Sequence, residues 1–492
     1  MQNGTLLAAV DLGSNSFRLE IGRFEHGHIQ RVEYLKETVR QGNGLDENRN
    51  LTQEAMERGW ACLARFAERL AGFPREHVRA VATQTLREAR NREEFLTRGS
   101  ALLGYPIDVV SGVEEARLIY QGVAHMLPQS DERRLVVDIG GRSTEFILGQ
   151  QFSANAVASY RVGSVAWSSR YFPDGAFTPQ AFLAAEIAAK AVLDEALSVF
   201  QRDAWEVAYG SSGTAGAVGD ILTAMGGPKG LITRAGLNAL HDKLLRAQSA
   251  DRVRMEGLKE DRRAVIGGGI SVLRAVFDLL EIEEMQVAQG ALRQGALYDL
   301  LDREQPETDL RTATVNALMQ RFAVDTAHAE RVAATARALF RQAAAPGSER
   351  AETKLEWAAK LHEVGCRISH SDYHRHGAYI LDNTDAAGFA LPELHRLGIL
   401  VLGQRGKVRK LEADLWDAAF ALQLICLRLA VALCHARRAP DITEMQLLME
   451  PGTFTLKIPS RWPQAFPQSA HLLQEEMVAW QKTPWELRVQ AD

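Results

Sequence analysis

Val10-Asp11-Leu12-Gly13-Ser14-Asn15-Ser16 and Val137-Asp138-Ile139-Gly140-Gly141-Arg142-Ser143 are two copies of one pattern: aspartate, aliphatic, glycine, any two residues, serine. Each copy follows an apolar run (Leu6 to Val10; Leu135 to Val137) and precedes another (Phe17 to Phe24; Thr144 to Leu148). Each therefore reads as a β-hairpin closed by a tight Gly/Ser turn. Glycine lets the backbone approach a ligand closely, consecutive N–H groups form an anion-binding nest, and small hydroxyls add donors. An aspartate at the strand end can hold a cation against the same anion. A single copy is better explained by an ordinary turn between two strands. Two copies facing each other make a cleft for phosphate and metal.

The 492-residue chain is too long for one core, and two to four domains are expected. Hydrophobic residues at 46% and charged residues at 24% exclude a disordered or fibrous class. Cys62, Cys366, Cys426 and Cys434 show no CxxC spacing, which fits core thiols in a reducing compartment. The chain runs from Met1 almost directly into the strand at Leu6, and no apolar run is long enough to span a bilayer, so a cytoplasmic protein is expected. A formal net charge of −5 offers no general attraction to polyanions. No nucleic-acid partner is expected, and any anionic substrate must be held by local groups. Basic clusters occur at Arg262-Arg263, at Arg405 to Lys410 and at Arg437-Arg438.

Strands alternate with helices through the first three hundred residues. Leu51 to Ala71 is amphipathic, Arg79 to Ala82 and Ile107 to Val110 read as buried strands, and a helix follows Gly112 through His125. A second α/β unit opens at Leu135 with the repeated hairpin. It continues through a helix from Thr178 to Phe200, a strand Trp205 to Tyr209, a Gly-rich turn, a helix after Arg263 and a strand Met285 to Val287. The polar, Pro-containing stretch Asp302 to Asp309 reads as a linker. Thr312 to Cys434 is helical, and short strands are expected at Gln446 to Met449, Thr453 to Ile458 and Glu486 to Val489.

Three further segments carry chemistry, each with a structural alternative. In Ser111-Gly-Val-Glu114-Glu115, the Ser111/Glu114 spacing is that of a capping box. Glu115 lies about 100° further round the helix and is not needed for the cap. It can accept the proton of an attacking water, or sit on the surface near a helix N-terminus. Arg87 follows a strand where a helix begins, and suits bidentate phosphate binding or an ion pair. The turn Gly210-Ser211-Ser212-Gly213-Thr214, and Gly267 to Gly269, suit anion binding at a helix start or simple close packing. No lysine follows these glycines, so neither is a Walker loop.

Asp11-Leu-Gly-Ser-Asn-Ser-Phe17, Thr85-Leu-Arg87, Ser111 to Leu118, Asp138-Ile-Gly-Gly, Gly210 to Thr214 and Leu361-His-Glu-Val-Gly365 together resemble the exopolyphosphatase and guanosine pentaphosphate phosphohydrolase family. The family lies within the actin, sugar kinase and 70-kilodalton chaperone superfamily, and the likeness extends along nearly the whole chain. It implies an α/β N-terminal half of two ribonuclease-H-like lobes (1–121 and 122–303), with the active site between them. A helical HD-like domain (310–440) and a small α+β C-terminal domain (441–492) are implied to follow. The implied reaction is hydrolytic release of a terminal phosphate, with Glu115 as base and Asp11 and Asp138 organising Mg²⁺. Ser14, Asn15, Ser16, Arg87, Gly140, Gly141, Ser143, Gly210, Ser212 and Gly213 are the implied phosphate binders. One position departs from the pattern: Arg142 stands where a third small residue is expected, and either adds a phosphate contact or points away.

The HD-like domain looks like one that has lost its metal. His328 can be a first ligand, but the pair is His362-Glu363 rather than His-Asp, and the helix Leu422 to Cys434 supplies no aspartate. His370, His374 and His376 are a second candidate cluster, against an alternative of polar helix termini or subunit contacts. This domain is expected to guide a polyanion and to join two subunits of a homodimer. The reading favoured by His370 to Leu381 is Mg²⁺-dependent release of orthophosphate from the end of inorganic polyphosphate. Glu57 to Trp60 and Tyr120 to His125 instead resemble the branch that converts guanosine pentaphosphate to tetraphosphate. A non-catalytic polyphosphate or alarmone sensor, or an ATP-dependent kinase on the same scaffold, are the alternatives of a different class.

Overall fold

A computed structural model describes residues 1–128, 130–303 and 309–491. Residues 304–308, the centre of the expected linker, lie outside the described residues. The chain divides into two compact units, Met1–Asp309 and Leu310–Asp492.

The first unit contains the duplication in three dimensions. Strands β1 (Leu6–Leu12), β2 (Phe17–Glu25), β3 (His28–Glu37), β4 (Val78–Ala82) and β5 (Ile107–Val109) form a sheet of order 3-2-1-4-5. The second sheet holds β6 (Arg134–Ile139), β7 (Thr144–Gln150), β8 (Ser153–Tyr160), β9 (Val207–Ser211), β10 (Leu231–Thr233) and β11 (Glu284–Val287), in the order 10-11-9-6-7-8. Without β10 it reads 8-7-6-9-11, the order of the first. Pairings match as well: β1–β2, β2–β3, β6–β7 and β7–β8 are antiparallel, whereas β1–β4, β4–β5, β6–β9 and β9–β11 are parallel. These are the two actin-like lobes. Central strands β1 and β6 are buried almost throughout because neighbours flank them on both sides.

The third strand of each sheet, β3 and β8, was not anticipated from sequence; both are edge strands left partly exposed along most of their length. The expected lobe boundary at 121/122 falls inside the helix Gly112–Met126. That helix crosses Leu292–Arg303 closely: a Cβ on Gly122 would lie 2.1 Å from the Ala291 carbonyl oxygen, and one on Gly295 1.7 Å from that of Leu118. The two helices therefore pack backbone to backbone, which fixes the helix start where Glu115 sits.

In the second unit, helices Leu310–Arg321, Thr326–Ala343, Glu349–Lys360, Tyr373–Asp382, Leu391–Gly403 and Ala418–Leu433 precede a small sheet. There β12 (Gln446–Glu450) pairs antiparallel with β13 (Thr453–Ile458), and β13 pairs parallel with β14 (Glu486–Ala491) across the helix Pro467–Ala479. Leu339, Phe420 and Leu424 of the helices share one core with Leu447, Phe454 and Trp480 of the sheet segment. Buried Arg428 ties the two parts, donating to Glu476 at 2.7 and 2.8 Å. No helix among the described residues is long and apolar enough to cross a membrane.

Candidate functional site

Asp11 and Asp138 are the penultimate residues of β1 and β6, so each turn begins two residues after its aspartate. Gly140 N–H donates to the Ser143 carbonyl at 2.9 Å, closing the second turn. A Cβ on Gly141 would lie 3.0 Å from Ser14 Cβ, so the two turns touch across the lobes. One cleft is lined by Asp11, Gly13 to Ser16, Glu115, Asp138, Gly140, Gly141, Ser143, Ser212 and Gly213. Eleven of the fourteen residues expected from sequence thus converge here: Asp11, Ser14, Asn15, Ser16, Glu115, Asp138, Gly140, Gly141, Ser143, Ser212 and Gly213.

The other three lie elsewhere. Arg87 stands behind Glu115, donating to its carboxylate at 2.8 Å and to the Val110 carbonyl at 2.8 Å. Arg142 turns away from the cleft to Glu88 (2.9 Å) and the Gly42 carbonyl (3.2 Å), so the expected phosphate contact is corrected to a brace between lobes. Gly210 is interior to β9. A Cβ there would lie 2.7 Å from Met285 Sδ and 2.8 Å from Ala215 Cβ, which makes it a packing glycine rather than an anion binder. Gly267 to Gly269 likewise pack a buried helix start against Phe177, Ser164 and Thr214. The expected Gly-rich turn is shorter than read: β9 runs through Ser211 and a helix begins at Ser212, whose φ of 64° makes the switch in a single residue. That conformation is costly for a serine and is concentrated at functional sites.

Four buried carboxyls share this region. Burial raises the Glu115 pKa above the usual carboxylate range; Arg87 opposes the rise, and Asp138 and Asp11 add to it. Burial also raises Asp138, partly offset by the Ser211 and Ser212 hydroxyls. Glu145 is pushed well up by burial and by Glu115 and Asp138, and accepts from Ser159 Oγ at 2.8 Å. Sequence reading did not single out Glu145. Its signal was the ladder register, since it lies directly across from Asp138 as Arg18 lies across from Asp11.

Cations face this group. Arg18 contacts Asp11 at 3.2 Å, and Arg293 contacts Asp11 at 3.5 Å and Glu20 at 3.3 Å. Arg262 completes the lining, and only a glycine at 213 admits it: a Cβ there would lie 1.9 Å from Arg262 Nη2. The adjacent Asp261 pairs with Lys36 of β3 at 2.5 Å, joining the lobes beside Arg262. Arg18 and Arg293 carried no motif to mark them.

The family model described as Ppx/GppA phosphatase family matches residues 21–304, and that described as Ppx/GppA phosphatase, domain III, matches residues 310–478. The chain belongs to the Ppx/GppA phosphatase family. It is thereby a hydrolase of phosphoric anhydride bonds. It is 39% identical over 490 residues to a guanosine-5'-triphosphate,3'-diphosphate pyrophosphatase of Vibrio atlanticus, covering 99% of this chain and 98% of that one. A Vibrio cholerae protein of the same name is 40% identical over 463 residues, covering 93% and 92%. Among solved structures, an exopolyphosphatase-like protein is 26% identical with a TM-score of 0.55, covering 61% of this chain and 98% of its own. The Aquifex aeolicus member of the Ppx/GppA family is 25% identical with a TM-score of 0.51, covering 61% and 99%.

Proposed function

We propose that the chain removes the terminal 5' phosphate of guanosine-5'-triphosphate,3'-diphosphate, releasing orthophosphate and the tetraphosphate. The observation that carries the chemistry is the convergence of buried Glu115 with both Gly/Ser turns in one cleft. The substrate is supported by the name that relatives of 39–40% identity share along nearly their full length.

In this reading the N–H groups and hydroxyls of residues 13–16 and 141–143 cradle the terminal phosphoryl oxygens. A water attacks the phosphorus on the side of Glu115, whose carboxylate takes the proton. The P–O bond to the bridging oxygen breaks, and the leaving chain keeps the electron pair beside Arg18, Arg262 and Arg293. Arg87 fixes the Glu115 carboxylate and holds it ionised enough to act as a base.

The carboxyls also suit a hard divalent cation. Asp138 and Glu145 repel each other at close quarters, and oxygen donors beside a phosphate subsite are the ligands that Mg²⁺ prefers. Asp11 and Asp138 would hold it, and when bound it neutralises charge on the phosphoryl oxygens. Glu145 would hold a water of that ion or of the attack.

A second reading is hydrolysis of inorganic polyphosphate from its end. The three arginines can bind successive phosphates without regard to a base, and one structural relative is named exopolyphosphatase-like. The deciding experiment is phosphate release with Mg²⁺ from the two substrates at matched terminal-phosphate concentration, with Glu115→Gln as control. Faster, Glu115-dependent release from the nucleotide is expected. Preference for polyphosphate would move the assignment to the second reading, and turnover surviving in Glu115→Gln would remove Glu115 as base.

A further inference from the structure

A cluster in the second unit has no task in this chemistry. His328 lies in the first turn of the helix Thr326–Ala343, where its backbone N–H is capped by Asp325 at 3.0 Å. His362 and Glu363 occupy the turn after the helix Glu349–Lys360. Packing of these helices brings one ligand atom of each within 4.8 Å of the others, the one such grouping of three among the described residues. His370, His374 and His376, the other candidate from sequence, form no such group among the described residues.

His328 is only 5% exposed, and its Nδ1 has no hydrogen-bond partner. An unsatisfied buried polar atom costs about 1–3 kcal/mol and calls for a missing partner. His362 is 1% exposed, and its Nδ1 bonds the Ala359 carbonyl at 2.7 Å. That bond assigns the proton to Nδ1 and leaves Nε2 with a free lone pair, as in metal-bound imidazoles. Glu363 is held by Arg437 at 2.8 Å, which also holds Asp325 at 2.8 Å.

We propose that His328, His362 and Glu363 bind one divalent transition-metal ion of the Zn²⁺ type, and that Arg437 neutralises Glu363 when the ion is absent and yields to it when it binds. Two imidazole nitrogens and one carboxylate oxygen are the donor set of a borderline ion, and three protein ligands leave a fourth position for water. Mg²⁺ prefers all-oxygen surroundings and is a poor guest here. The ion would clasp the start of one helix to the end of the other.

The test is a Zn²⁺ titration of the chelator-stripped full-length protein by calorimetry with Mg²⁺ in excess, repeated with Co²⁺ to read its visible absorption. One saturable site per chain is expected. His328→Gln and His362→Gln should each weaken binding by at least the 10–100-fold that loss of even an indirect partner causes. Arg437→Ala should tighten binding, a gain that misfolding cannot imitate, and Glu115→Gln should leave it unchanged. No saturable site in the wild type, a site that survives in both histidine variants, or one that Arg437→Ala leaves unchanged or weakens, would overturn the proposal.

Discussion

The two hairpins that open the lobes share a backbone and differ in charge. In both, a glycine follows the strand-end aspartate by two positions, and the next ladder of each lobe, β2–β3 and β7–β8, shifts register before a second glycine, at Ile21/Gly22 and Leu148/Gly149. Yet the residue across from the aspartate is Arg18 in one and Glu145 in the other. The first hairpin pairs its carboxylate with a cation, whereas the second crowds its carboxylate against two more acids. One scaffold thus carries a side whose aspartate is balanced by arginines and a side where three buried carboxyls meet.

Reversing the first hairpin should have the largest effect. Arg18→Glu gives it the character of the second, leaving Asp11 opposite a like charge and Arg293 alone beside it. Losing one partner of such a pair costs about 2–5 kcal/mol, or roughly 30-fold to several-thousand-fold in kcat/KM. Steady-state kinetics on both phosphate substrates would read it; a change below tenfold would mean that Arg18 only shapes the hairpin.

Neutralising the second hairpin should separate activity from stability. Glu145→Gln keeps an acceptor for Ser159 and removes one buried charge. Turnover should fall about 10²-fold. Because the folded carboxyl titrates above its unfolded value, the wild-type protein loses stability as pH rises from the usual carboxylate range through that raised value. The variant escapes this loss, so without metal it should be more stable by about 1–4 kcal/mol at pH 8, with little difference at pH 4. Denaturation of both proteins across that range checks the sign; an equal gap at both pH values would place the effect in packing.

Much of this comparison was legible in sequence because the chemistry requires glycine and small hydroxyls in a short motif. Asp11 and Asp138 were found that way, whereas Glu115 was found from its place one residue beyond a capping box and from the family resemblance. Glu145 and Arg18 were not, since each is one charged residue in a strand whose meaning depends on which aspartate it faces. Ladder register, not composition, assigns them. Arg262 appeared only as a surface cluster, because its place in the cleft depends on the missing side chain at Gly213. Gly210 misled in the opposite direction: glycine beside a ligand and glycine beside Met285 look alike in sequence. The cores of the second unit were legible as helices and strands, but their fusion into one core rests on long-range packing around Trp480 that no local pattern shows.

Arg87 offers a finer test of how the base is tuned. Its guanidinium opposes the burial and acid neighbours that raise Glu115. Arg87→Met should therefore move the acidic limb of the pH–rate profile upward, with a greater loss of turnover at pH 6 than at pH 9. A uniform loss at every pH would assign Arg87 to holding phosphate instead.

Arg142 should matter least, although it sits inside the second turn. Its contacts with Glu88 and the Gly42 carbonyl cross to the other lobe, and its side chain is 24% exposed. Partly exposed pairs of this kind contribute about 0–1 kcal/mol. Arg142→Ala also restores the run of small residues that the turn pattern expects, leaving the Gly140 and Gly141 N–H groups free to keep their geometry. Activity within about twofold of wild type and a stability change below about 1 kcal/mol are expected. A tenfold loss, with unfolding unchanged, would show that the two turns need this brace to stay in register across the cleft, and the duplicated hairpins would then work as one jointed device rather than as two independent halves.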